Sequence, residues 1–171
     1  MNTSQADHYF LKALDTFCWD RFETMESLNF ALSYDEMHAA ANCLMGRIQM
    51  FWIKDFRVAA HFFEMAIIGD KTYVDTYKFF SLLMIWIGDF NKAEELIEKG
   101  LKFKGMDKAV LYGRKSMIYE YEGRYDKAKK VLMKAYQFSF NETYTEYFDK
   151  ELSRIKKKIK MRKKSVKRRE E

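Results

Sequence analysis

Three short blocks of sequence recur at a nearly fixed interval, and that interval constrains the fold more than any other feature of the chain. The blocks are Lys54-Asp55-Phe56-Arg57-Val58-Ala59, Gly88-Asp89-Phe90-Asn91-Lys92-Ala93 and Gly123-Arg124-Tyr125-Asp126-Lys127-Ala128. Ala59 and Ala93 are 34 residues apart, and Ala93 and Ala128 are 35 apart. A chain that repeats itself at this interval builds its core between neighbouring copies instead of around one centre.

Within each block the chemistry is the same. A Gly or Lys followed by an Asp or Arg makes a tight turn, and an aromatic (Phe56, Phe90, Tyr125) opens a helix. Three residues on comes an alanine, four further a large apolar residue (Phe63, Ile97, Leu132), and three further a small one (Ala66, Gly100, Ala135). Spacings of three, four and seven place these on one face of an α-helix, and the small residues let a partner helix approach closely. The 171 residues contain no proline and only seven glycines, so long helices are favoured throughout.

This pattern, an aromatic followed by small-x3-large-x2-small at a period of 34, resembles the second helix of the tetratricopeptide repeat, and the match is best over residues 40 to 140. The first-helix half is degenerate. The family's Leu-Gly pair appears as a shifted Met45-Gly46, Ser81 and Ser116 take the small position in the next two copies, and the family's terminal proline is missing. Counting back 34 from Ala59 gives Met25, with Phe22 as the aromatic and Ala13 as the small residue of the first helix, although Asn29 then falls where a large apolar residue is due. Residues 6 to 35 are read as a divergent terminal repeat. Glu142 to about Lys160 carries a stripe of Tyr144, Tyr147, Phe148, Leu152, Ile155 and Ile159 that suits a capping helix. The resemblance implies an all-α, right-handed solenoid of three to four helix pairs with that helix as its C-terminal cap.

Charge divides the chain. Arg154 to Glu171 carries +9, whereas Met1 to Ser153 carries −3, so the expected organisation is a repeat domain over 1–153 and a basic helix extension or tail over 154–171. In the tail, Lys156, Lys157, Lys160, Arg162, Lys163, Lys164, Lys167, Arg168 and Arg169 could neutralise phosphates of nucleic acid or approach another anionic surface. Docking on the acidic body or simple solubilisation are the plainer alternatives.

By the resemblance, first helices line a concave face. That assigns a partner groove to Phe17, Leu44, Ile48, Trp52, Lys78, Phe79, Leu82, Trp86, Arg114 and Tyr121, with Trp52, Trp86 and Arg114 as the natural anchors. So apolar a surface suits a partner's amphipathic helix or apolar segment, and it suits equally a groove filled by the chain itself or by a second copy in a homodimer. Matching positions are too apolar for a clamp on a C-terminal carboxylate.

Catalytic motifs are lacking. Asp35-x-x-His38 and His61 with Glu64 are fragments of a di-metal carboxylate pattern that needs more ligands, and Cys18 with His8 lacks an orienting group. No cofactor is expected. Cys18 and Cys43 are not spaced as a disulfide framework or zinc site, no signal peptide is legible and no apolar run is long enough to span a bilayer, so a cytoplasmic setting is expected. The functional expectation is a non-enzymatic interaction module: an adaptor, scaffold or binding chaperone. The alternative is a subunit of a nucleic-acid-associated complex that contacts phosphate through the tail.

Overall fold

The computed structural model describes the backbone from residue 4 to 170 and side chains from 4 to 165. Among the described residues there is no strand. These described residues form nine α-helices in order: α1 Gln5–Thr16, α2 Arg21–Tyr34, α3 Ala39–Ile48, α4 Phe56–Gly69, α5 Val74–Trp86, α6 Phe90–Gly100, α7 Lys108–Tyr121, α8 Tyr125–Gln137 and α9 Glu142–Glu170. A π-helical turn, Gln49–Ile53, extends α3. The chain forms two compact units, Met1–Leu83 and Met84–Glu171, whose division falls inside α5.

The repeated blocks become the turns that start α4, α6 and α8. Asp55 and Asp89 cap the first two, their carboxylates accepting from the N–H groups of Val58 and Lys92 at 3.0 Å. Capping of this kind satisfies N–H groups that a helix start leaves orphaned. The residue closing the preceding helix is left-handed each time: Lys54 at φ 65°, Gly88 at 82° and Gly123 at 72°. Glycine takes that conformation without penalty, whereas lysine must hold its Cβ against the following carbonyl.

The expected second-helix stripe is the buried one. Ala59, Phe63 and Ala66 on α4, Ala93, Ile97 and Gly100 on α6, and Ala128, Leu132 and Ala135 on α8 are all buried. The small residues do what their size allows. Gly46 presses so close to the Phe63 ring that a Cβ there would lie 2.8 Å from it. Ser116 of α7 donates to the Ala128 carbonyl of α8 at 2.9 Å.

The shifted Met45-Gly46 has a structural cause. Ser81 and Ser116 each precede their block's alanine by 12 residues, but Gly46 precedes Ala59 by 13. The π-helical turn at Gln49–Ile53 absorbs that extra residue inside a continuous helix.

The same insertion corrects the expected frame of the first repeat. Thr24, Leu28 and Ala31 are the buried stripe of α2, each at 0% exposure, and Thr24 lies 35 residues before Ala59. The frame through Met25 and Asn29 is therefore one residue late, and Phe22, expected to pack as the aromatic, is 79% exposed. Ala13 is buried as expected.

In the first unit the core gathers Ala13, Leu28, Ala31, Ala41, Leu44, Met45 and Ile48 from α1, α2 and α3. In the second, α6 packs on α7, α7 on α8 and α8 on α9. Its core joins Ala109, Ala128, Leu132 and Ala135 to Phe148 and Ile155 of α9. Gly113 admits the cap, since a Cβ there would stand 3.0 Å from the Phe148 ring. The change of charge between 153 and 154 falls within one helix, as a helical extension would have it. α9 crosses it unbroken because Ile155, 1% exposed, belongs to the core, and residues 154 to 170 continue as helix.

Candidate functional site

On the first unit, side chains from the C-cap of α1, from α3 and its π-helical extension, and from α5 stack in a column. The Phe17 and Trp52 rings lie 4.9 Å apart at 17°. The Arg47 guanidinium carbon sits 4.8 Å from the Phe17 centroid and 4.5 Å from that of Phe79. Arg21 covers Trp52 at 5.1 Å and Lys78 approaches Phe79 at 5.3 Å. A guanidinium is planar and weakly hydrated, so it stacks on rings where an ammonium would hold its water. The Nε of Arg47 is buried without a hydrogen-bond partner, and no carboxylate among the described residues pairs with its charge. Lys78 has a distant one in Asp75, at 3.8 Å.

Of the expected groove, Phe17, Trp52, Lys78 and Phe79 are in this column and are half-buried against each other, with Leu82 half-buried nearby in sequence. Leu44 and Ile48 are corrected: at 2% and 1% exposure they face the core and offer a partner nothing. The reason is that α3 is covered on two sides, by α4 against Gly46 and by α1 and α2 against Leu44 and Ile48. Arg47 was not among the expected residues. Its signal was present, because it stands where the next two copies have Leu82 and Met117.

In the second unit, Trp86 and Tyr121 are exposed at 46% and 66%, and Tyr121 stacks on Phe90 at 5.7 Å. Arg114 is corrected from anchor to interior. It is 9% exposed, and burial pushes its pKa down to about 10, against the opposing pull of Tyr147, Tyr144 and Asp107. The Tyr144 hydroxyl donates to Asp107 at 3.0 Å, tying α9 to the residue that caps α7.

The basic segment divides into two sets. Arg154 donates to Glu120 through Nε at 2.9 Å and Nη2 at 2.6 Å, and Lys158 pairs with the same carboxylate at 2.7 Å. Arg162 donates to the Gly123 carbonyl at 2.9 Å, just beyond α7. Burial pushes Glu120 up, but the hydrogen bonds from Arg154 and Lys158 outweigh it and hold its carboxyl below the usual range. Arg162, expected to serve an external anion, is thus used by the fold. Lys156, Lys157, Lys160, Lys163 and Lys164 are exposed. The side chains of Lys167, Arg168 and Arg169 lie outside the described residues.

His38 serves as a structural cap, with both its ring nitrogens in hydrogen bonds. Among the described residues no group of three His, Cys, Asp or Glu side chains is placed to hold a metal ion. No described helix is long and apolar enough to cross a membrane.

Residues 109–142, which span α7, α8 and the turn into α9, match the family model of the tetratricopeptide repeat. The chain is a TPR-like helical repeat protein. Its fold is similar to that of solved TPR-like structures. A crystal structure of MamA superposes with a TM-score of 0.68 at 23% identity, covering 80% of each chain. A second MamA structure gives 0.67 at 24%, covering 78% of this chain and 72% of that one. Pseudomonas aeruginosa PilF gives 0.80 at 12%, covering 92% of this chain and 70% of PilF. At these identities the likeness is one of fold. A comparison with curated proteins finds no match. TPR-like repeats mark the chain as a protein-interaction module in general terms.

Proposed function

We propose that this TPR-like chain is a non-enzymatic adaptor, scaffold or binding chaperone that takes an amphipathic segment of a partner protein on the first-helix face of its N-terminal unit. The observation that carries this reading is Arg47, stacked between Phe17 and Phe79 and without a carboxylate among the described residues. The rings on either side hold the guanidinium in one orientation, so its donors are preorganised for an acceptor from outside. Phe79 against it, with Leu82 half-buried three residues further along α5, favours an apolar contact. An acidic residue one helical turn from an apolar one, in a partner helix, meets both requirements. The free thiols of Cys18 and Cys43 agree with a reducing, cytoplasmic setting.

The test is a panel of labelled amphipathic peptides, with and without a central Asp or Glu, titrated with the full chain in fluorescence anisotropy. Acidic peptides are expected to bind at least about ten-fold tighter than neutral ones, and Arg47→Gln to remove that difference, as loss of one charge-assisted hydrogen bond implies. Circular dichroism of the variant guards against misreading a loss of fold. Equal binding of both peptide classes would remove Arg47 from the site.

A further inference from the structure

We propose that the outward face of α9, formed by Lys156, Lys157, Lys160, Lys163 and Lys164, binds the phosphate backbone of nucleic acid without regard to base sequence. This site shares no residue with the peptide surface on the first unit and stands or falls separately.

The argument begins with what the fold has already used. Arg154, Lys158 and Arg162 recur every four residues and grip Glu120 and the Gly123 carbonyl. Phe148 and Ile155 are buried on that side as well. At 3.6 residues per turn, the five lysines fall within an arc of about 120° centred away from the docked side, over an axial length of about 12 Å. All five are exposed. None of them has a hydrogen bond, an ion pair or a ring contact among the described residues, whereas Lys158 on the docked side pairs with Glu120 and lies 5.8 Å from the Tyr125 centroid. Five like charges so close repel one another and weaken the helix unless something anionic covers them. Packing on the opposite face keeps them displayed.

The composition of the face narrows the partner. An interfacial membrane helix buries an apolar side, but here the apolar side is already committed to the core, and Met161 is the one exposed apolar residue among 154 to 165. The face has no Arg, Asn or Gln to pair with base edges and no aromatic to stack on bases. Lysine meets phosphate as a point charge on a flexible stem, tolerant of position and indifferent to sequence. Duplex nucleic acid presents about one negative charge per 1.7 Å of axis, a density that an acidic polypeptide segment rarely sustains.

The experiment uses the full chain and a short fluorescently labelled DNA duplex of mixed sequence, with a matching RNA duplex, titrated across a range of salt. Wild type is expected to bind both, with log K falling against log salt at a slope of up to about −4.5, the value for five phosphates neutralised on a DNA duplex. Changing all five lysines to Gln should raise Kd at least about ten-fold at moderate salt and bring the slope above about −1. A charge-matched control, Lys71, Lys102, Lys104, Lys127 and Lys130→Gln, removes the same net charge from exposed positions elsewhere. It should bind within about three-fold of wild type if placement and not net charge governs binding. Thermal melts of both variants verify that α9 stays docked. Equal losses in the two variants, an unchanged slope in the α9 variant, or no binding by wild type at low salt would each overturn the proposal. So would tighter binding to phosphatidylserine vesicles or to polyglutamate than to either duplex.

Discussion

The Nε2 of His38 donates to a carboxylate oxygen of Asp7 at 3.0 Å, while its Nδ1 accepts the Ala41 N–H at 3.1 Å. One imidazole therefore caps α3 and binds the first turn of α1, 31 residues earlier. Asp7 is itself engaged with Ser4, whose hydroxyl and N–H it accepts in a capping box at the start of α1. His38→Ala should destabilise the protein by about 1 kcal/mol through the lost cap. The hydrogen bond from His38, with those from Ser4, holds the Asp7 carboxyl below the usual carboxylate range. In the variant the Asp7 titration followed by NMR should move up. If it stays where it is in the wild type, Ser4 alone perturbs it.

The three left-handed turn residues make a controlled comparison. Lys54→Gly should stabilise the chain by about 0.5–1 kcal/mol, because it relieves the αL strain of a side-chain-bearing residue and gives back part in unfolded-state entropy. Gly88→Ala and Gly123→Ala should each cost about 1 kcal/mol, although neither added Cβ meets an atom within 4 Å. Urea midpoints of the three variants decide it. A stabilising Gly88→Ala would mean that the turns set no conformational requirement.

The frame of the first repeat separates by adjacent substitutions. Leu28→Ala removes a fully buried side chain and should cost about 2–5 kcal/mol. Asn29→Ala, on the exposed side, should lie within about 0.5 kcal/mol of wild type. Similar costs for the two would restore the frame through Met25 and Asn29.

Much of this arrangement was legible in the sequence, and the places where it was not have a common origin. The stripes through Ala59, Ala93 and Ala128 could be read because each repeats a 3-4-3 spacing in an uninterrupted helix. The first repeat could not be framed by counting back, since the extra residue lies inside a helix, at Gln49–Ile53, where no glycine or proline marks it. Leu44 and Ile48 were misassigned because an apolar residue on a first helix looks the same whether it lines a groove or faces the neighbouring pair. Arg114 was misassigned because burial of a charge depends on α9, which arrives about thirty residues later in the chain. The division of the basic segment depends on Glu120 and on the Gly123 carbonyl, and neither leaves a trace in the segment's own composition.

Glu120 gives a pH-dependent test. Its carboxyl is depressed in the folded state by Arg154 and Lys158, so its contribution to stability is present above the unfolded-state pKa, near 4.3, and is lost as pH falls through the lower folded value. Glu120→Gln should cost about 1–2 kcal/mol at neutral pH, on the scale of a charge-assisted hydrogen bond. The gap from wild type should close as the pH drops below about 4. A gap that is constant with pH would mean that the loss is one of packing.

The unbroken passage of α9 through residue 154 has a consequence for anyone handling the protein. Trimming at Ser153, where the charge changes, would remove Ile155 from the hydrophobic interior and strip Glu120 of both its cations. The remaining chain would have an uncovered end, prone to stick to whatever apolar surface it met. Retention seen only with such a shortened chain would report that exposed wound, and retention lost with it would not identify the lysines as the contact. Point substitutions on the outward face leave the closure intact, and for this molecule they are the sound way to ask what its cationic end touches.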